Sequence, residues 1–194
     1  MGHREKLMAG ARRCLEERGY AHTTSRDIAA AANAPLGTIN YHYGSKEALL
    51  NAAMLESIHE WGAKVQESSP EATVGARLEA MWARVIESQV TDRPLLVAAT
   101  EAHVQAERFP EVRQQIAEAF ERARPQLAAD LHDIGGEEGS PDAATARAVG
   151  SVHMALVAGL TQQWLIDPEH APSAGEIAAG LRAIARSLDA DADA

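Results

Sequence analysis

Apolar residues return every third or fourth position along most of this chain, in stretches separated by Gly, Pro, Ser or Asp breaks. That spacing lines one face of an α-helix and lacks the strict alternation of a half-buried strand. Leu7, Met8, Ala11, Cys14 and Leu15 mark a first helix over roughly 3–18, which Gly19 ends as a left-handed cap. Thr24 with Asp27 has the pattern of a capping box for a second helix covering Ile28 to Ala32, and Asn33 suits a left-handed turn after it. Pro35 fits the first turn of a third, short helix reaching about Tyr43; Gly44 breaks it and Ser45 caps a fourth.

The fourth helix carries Leu50, Met54, Ile58, Trp61 and Val65 before a break at Ser68–Ser69–Pro70. Val74, Leu78, Met81, Trp82 and Val85 mark a fifth, and Leu95, Leu96, Ala99 and His103 a sixth, with the Asp92–Arg93–Pro94 break between them. Pro110 opens a seventh with the stripe Val112, Ile116, Phe120, Ala123, Leu127 and Leu131. Pro125 falls inside that stripe and predicts a kink or a split. Gly135 to Ser140 is a polar loop; Ser140–Pro141 starts an eighth helix running to about Ile166. Ser173 and Glu176 box the start of a ninth, whose core stripe is Ile177, Leu181, Ile184 and Leu188.

Composition agrees with an all-α chain of about nine helices. Aromatics are 4% of the residues, too few for a large sheet, while a hydrophobic share of 46% supplies a core. The net charge of −10 is unevenly spread. Residues 1–50 hold seven Lys/Arg against five acids, a balance of +2, so the remainder carries −12. A mildly basic head on an acidic body disfavours nonspecific coating of nucleic acid and allows one local contact surface. Cys14 stands alone on an apolar face and reads as a buried thiol. A lone cysteine, no apolar leader at the N-terminus and no run near ~18–20 apolar residues point to the cytoplasm and no membrane.

Residues 24–42 place two short helices about a tight turn, the geometry that lays a second helix across a DNA major groove. Ile39 and Tyr43 share an inward face, which leaves Thr38, Tyr41 and His42 outward. Together with Asn40 they offer donors and acceptors to phosphates and base edges. Gly37 permits close approach of the helix start, and Lys46 sits where the fourth helix can hold a phosphate. Thr24, Arg26 and Leu36 complete the expected DNA-binding set.

The stretch GYAHTTSRDIAAAANAPLGTINYHYGSKEALL, residues 19–50, resembles the DNA-binding signature of the TetR family of regulators. Gly19, Tyr20, Thr23, Thr24, Ile28, Ala29, Gly37, Thr38, Ile39, Tyr41, Tyr43, Ser45, Lys46, Glu47 and Leu49 fit it, whereas Asn33 replaces a usual glycine and Asn40 a frequent tyrosine. The resemblance implies a helix-turn-helix domain over 1–48, a ligand-binding and dimerisation domain over 49–188 and a flexible tail over 189–194. It further implies a repressor released from a palindromic operator by a small effector, with the last two helices pairing with a second subunit.

Trp61, Met81, Trp82, Phe120 and Met154 are the expected walls of an effector site, with His103 as its polar anchor. Each could equally be ordinary core; their concentration in a chain so poor in aromatics favours a cavity. His103 shares a helix face with Glu107, so a metal pair is an alternative to a core or anchoring histidine. Ala155, Ala158, Gly159, Gln162, Trp164, Ala179 and Ala183 are the expected homodimer contacts, the small ones because they let helices approach closely. No glycine-rich phosphate loop, nucleophile elbow or Cys/His metal spacing is present, and Glu101 and Glu107 near His103 lack a nucleophile, so no enzyme, cofactor or metal is expected. A ligand-independent DNA- or partner-binding module is the alternative function.

Overall fold

The computed structural model describes residues 2–67, 72–135 and 141–192. The break at Ser68–Ser69–Pro70, the Ser140 cap with loop residues 136–139, and the last two tail residues lie outside the described residues. Among the described residues there are nine α-helices and no strand: α1 (His3–Arg18), α2 (Ser25–Ala32), α3 (Gly37–Tyr43), α4 (Lys46–Gln66), α5 (Val74–Thr91), α6 (Arg93–Gln105), α7 (Pro110–His132), α8 (Pro141–Ile166) and α9 (Ala174–Ala192). The chain divides into two compact units, Met1–Ala63 with Asp92–Ala123, and Lys64–Thr91 with Arg124–Ala194. The expected functional division at 48/49 falls inside α4, within the first unit.

In the first unit the apolar stripes meet in one core. Leu7, Ala11 and Leu15 of α1 bury with Ile28 of α2, Ile39 of α3 and Leu49 and Leu50 of α4, together with Ala98 and Ala102 of α6 and Val112 and Ile116 of α7. Gly10 sets the approach of α1 to α2: a Cβ there would stand 2.9 Å from the Ala32 nitrogen. The connection after α1 is pinned from two sides. The Tyr20 hydroxyl donates to the Glu47 carbonyl at 3.3 Å, and the Ala21 N–H donates to Glu101 Oε2 at 3.0 Å. Glu101 is therefore a structural acceptor. Cys14 is buried and desolvation pushes its thiol pKa up, as expected of an inert core thiol.

In the second unit α5 packs against α8 and α9. Arg77 is 7% exposed, and its guanidinium donates to the Leu131 carbonyl at 3.4 Å and the Ala72 carbonyl at 3.3 Å and pairs with Asp133. A buried cation is tolerable only when its donors are met in this way. Gly150 of α8 lies so close to the Arg124 carbonyl of α7 that no Cβ fits there.

Five expectations need adjustment. Pro35 lies ahead of α3 rather than in its first turn; the helix starts at Gly37, and the Pro35 carbonyl accepts the Thr38 N–H at 3.0 Å. Pro125 does not split its helix, because α7 runs unbroken from Pro110 to His132. The proline removes one N–H, while the turns beyond it bury Leu127, Ala128 and Leu131. On α9 only Ile177 of the expected stripe is fully buried; Ile184 is 58% and Leu188 66% exposed, since no helix of this chain covers that end. Lastly, Asp142–Ile166 is a 25-residue stretch long and apolar enough to cross a membrane, with mean hydropathy 1.3, although alanine and glycine rather than bulky side chains make much of it. Also, α9 continues to Ala192, past the point where a tail was expected, as its alanines favour.

Gly10→Val should destabilise the protein by about 1–3 kcal/mol, because Ala32 backbone cannot move aside as a side chain can. Thermal unfolding measures it; an unchanged midpoint would mean that α1 and α2 do not pack at this distance.

Candidate nucleic-acid interface

The reading head is assembled by caps and one anchor. The Thr24 hydroxyl donates to Asp27 Oδ2 at 2.6 Å and accepts the Asp27 N–H at 3.2 Å, closing a capping box at the start of α2. These bonds, with Arg18 nearby, hold the Asp27 pKa below the usual carboxylate range. Asn33 takes the left-handed turn, φ 48°, that its residue type allows. In α3 Ile39 is 1% exposed and seats the helix, while Asn40 and Tyr41 point to solvent, Tyr41 at 84% exposure. Leu36 and Gly37 are exposed at its start, and no heavy atom lies within 4 Å of where a Gly37 Cβ would stand.

The remaining expected DNA-binding residues are partly engaged. The Thr38 hydroxyl donates to the Pro35 carbonyl, which leaves its lone pairs free to accept. His42 is half-buried and meets Tyr41 edge to face at 4.9 Å. Lys46 donates to the Thr23 carbonyl at 3.1 Å and pairs with Glu47 at 3.2 Å. An ammonium has three donors, so one remains for a phosphate. Arg26 is exposed beside the α2 N-terminus.

Two contributors escaped the sequence reading. The Tyr43 hydroxyl donates to the Arg4 carbonyl at 3.1 Å, and the Arg4 guanidinium lies 5.7 Å over the Tyr43 ring. This fastens the exposed start of α1 to the end of α3 and holds a cation at the flank of the head. Their separation of 39 residues hides the contact from any local pattern.

The expected effector residues divide between the units. Trp61, His103 and Phe120 lie in the first, and Met81, Trp82 and Met154 in the second. His103 is exposed rather than on the core side of α6; its ring lies 5.9 Å from that of Phe120, and desolvation there lowers its pKa. Met81 and Trp82 are fully buried and Met154 half-buried. His132 and His153, which look scattered in sequence, are joined: their Nε2 atoms are 2.6 Å apart. Burial, then the neighbouring His132, pushes the His153 pKa down to about 4, and burial and Arg77 lower that of His132. Among the described residues no three metal-ligating side chains gather. Of the expected dimer contacts, Ala155, Ala158, Gly159, Gln162, Ala179 and Ala183 are all exposed, and Trp164 is half-buried.

Known proteins share both halves of the sequence. Residues 7–53 match the family of bacterial regulatory proteins described as tetR, and residues 74–189 match the C-terminal region of BetI-type transcriptional repressors. The HTH-type transcriptional regulator TtgR of Pseudomonas putida is 26% identical over 180 residues, covering 90% of this chain and 85% of that protein. The transcriptional regulator SCO7518 of Streptomyces coelicolor superposes with a TM-score of 0.67 at 26% identity, over 95% of this chain and 96% of its own. The multidrug binding protein EbrR, solved with proflavin, gives 0.64 at 27% identity, over 93% and 99%.

Tyr41→Ala should weaken binding to operator and to random duplex alike by about tenfold, since it removes an exposed group without touching the Ile39 anchor. Asn40→Ala should instead flatten the preference between operator and random duplex. Gel-shift titrations at fixed salt read both; identical behaviour of the two variants would remove the distinction drawn between them.

Proposed function

Because this chain belongs to the TetR family of transcriptional regulators, which are DNA-binding proteins and not enzymes, we propose that it is a dimeric repressor released from a palindromic operator by a small, largely apolar effector. The observation that carries the reading is α3: a seven-residue helix held by one buried side chain, Ile39, and offering Thr38, Asn40, Tyr41 and His42 outward. Leu36 and Gly37 stand at its own start, and Thr24, Arg26 and Lys46 at the starts of α2 and α4. Two such heads related by a two-fold axis would engage half-sites ~34–36 Å apart or more. Its operator partner places it in the cytoplasm.

The homodimer rests on the uncovered face of α8 and α9. Val152 (58%), Ile166 (82%), Ile184 (58%) and Leu188 (66%) are exposed there among the small residues Ala155, Ala158, Gly159, Ala179 and Ala183. Water is a poor neighbour for so many apolar side chains, and a second copy covers them with the same face. It also accounts for the apolar character of α8 without a membrane.

For the effector, the part of the expected wall that lies in the second unit, Met81, Trp82 and Met154, includes its two fully buried members. EbrR's proflavin supports a small aromatic ligand for this architecture. Helix α4 starts at Lys46 beside α3 and ends at Gln66 in the second unit, so it is one of the covalent links between head and effector site, with α7 another. A ligand moves the equilibrium only by its preference for one state, and a preference of ~100-fold corresponds to about 2.7 kcal/mol.

Footprinting of the region upstream of its own and neighbouring genes should show a protected palindrome; no protected palindrome there would sink the repressor reading. Ile184→Asp with Leu188→Asp should turn the dimer into monomer in sedimentation at micromolar concentration and abolish tight operator binding with the α3 face intact. A dimer that survives both changes would place the interface elsewhere.

A further inference from the structure

Among the described residues of the second unit four buried polar atoms have no hydrogen-bond partner; Trp164 Nε1 belongs to a half-buried side chain, whereas Trp82 Nε1, Gln89 Oε1 and His153 Nδ1 belong to buried residues. These three residues are 0%, 3% and 5% exposed. An unmet donor or acceptor at such depth costs about 1–3 kcal/mol, so three along one seam ask for an occupant.

Two contacts define that seam. The Trp82 ring lies against His153, centroids 6.4 Å apart, and Gln89 Nε2 donates to Thr161 Oγ1 at 3.4 Å. The first contact to the second is seven residues on α5 and eight on α8, both in the chain direction, so the two helices run parallel here. At ~1.5 Å per residue the polar ends are roughly 10–12 Å apart. Between them Val85 on α5 and Leu160 on α8 are buried and apolar, and the buried Ser88 hydroxyl already donates to the Val85 carbonyl at 2.7 Å.

The atoms also state what they can accept. Trp82 Nε1 is only a donor, and Gln89 Oε1 only an acceptor. His153 Nδ1 is either, because the bond between the two Nε2 atoms carries one proton. When His153 donates to His132 its Nδ1 is a lone pair; when His132 donates, Nδ1 carries the hydrogen. One hydroxyl satisfies that end, its oxygen accepting from Trp82 and its hydrogen going to His153. A second donor is needed at the Gln89 end. Full charge is unwelcome: burial keeps the histidine pair neutral, and the nearby Arg77 guanidinium is already met by Asp133 and backbone carbonyls.

We propose that the α5–α8 seam is the effector site and that it takes an elongated, uncharged, apolar molecule with a hydroxyl group at each end. This rests on the effector-responsive reading above, and it replaces His103 with His153 as the polar anchor. The helices part to admit the ligand, and Trp82 and His153 provide ring faces at one end.

The probe is 4,4′-dihydroxybiphenyl, titrated calorimetrically into the full-length protein, with 4-hydroxybiphenyl and biphenyl alongside. The expected order of affinity is diol, then mono-alcohol, then hydrocarbon, each step about tenfold for one hydroxyl that meets its buried partners. Gln89→Leu is expected to erase the preference for diol over mono-alcohol, and His153→Phe to shrink that for mono-alcohol over hydrocarbon, since Trp82 Nε1 still donates there. Should His153→Phe fail to fold, Gln89→Leu decides alone. No binding of the diol, or an unchanged preference in Gln89→Leu, would overturn the assignment and leave the three atoms to trapped water. Operator affinity of the unliganded wild type, measured in parallel, separates this outcome from failure of the regulatory reading.

Discussion

A seven-residue helix does not hold itself together in water, because nucleation costs more than two turns of hydrogen bonds return. The order of α3 is therefore lent by its surroundings, chiefly the burial of Ile39 in the core shared by α1, α2, α4, α6 and α7. Apart from Tyr43, which is tied to Arg4 and packs against the same core, that arrangement asks little structural duty of the rest of the helix. Only one side chain must be apolar, so its neighbours can be polar and turned outward. Gly10, the Thr24–Asp27 box and the Tyr43–Arg4 contact serve the same end, fixing α1 and α2 around a helix that has little stability of its own.

The second unit shows the opposite imbalance. Its buried surface contains polar atoms left unmet, and its exposed surface contains apolar side chains left uncovered. Both are costly in a free monomer, and the two proposed associations, a ligand between α5 and α8 and a second copy on α8 and α9, would each remove one of them. A regulator needs such incompleteness. A unit already satisfied in every contact would have no free energy to gain from an effector and none to transmit. The acidic balance of the chain beyond residue 50 adds to this, since it keeps DNA contact confined to the head.

Local interactions were legible in the sequence because they act within one or two helical turns. The caps at Thr24, Ser45 and Ser173, the left-handed Asn33 and the outward Tyr41 all stand where residue type and spacing place them. Pro35 was misplaced, and of the two outcomes read from Pro125 the split does not occur, because proline reports a forbidden hydrogen bond, not the packing that decides whether a helix can do without it. Periodicity likewise placed Ile184 and Leu188 in a core stripe although both are exposed, because a pattern of apolar residues cannot say whether a face is covered.

The sequence by itself determined an all-helical chain, the boundaries of most helices and the composition of a DNA-reading head, since helix periodicity, capping and turn formation depend on neighbours a few positions away. Tertiary structure alone decided the pairing of His132 with His153 across 21 residues, of Tyr43 with Arg4 across 39 and of Arg77 with Asp133 across 56. It also set which histidine lies buried: His153 does, and His103 does not. Those contacts arise from how separate helices cross, and the crossing is set by the summed packing of whole faces, which no single stretch of sequence encodes.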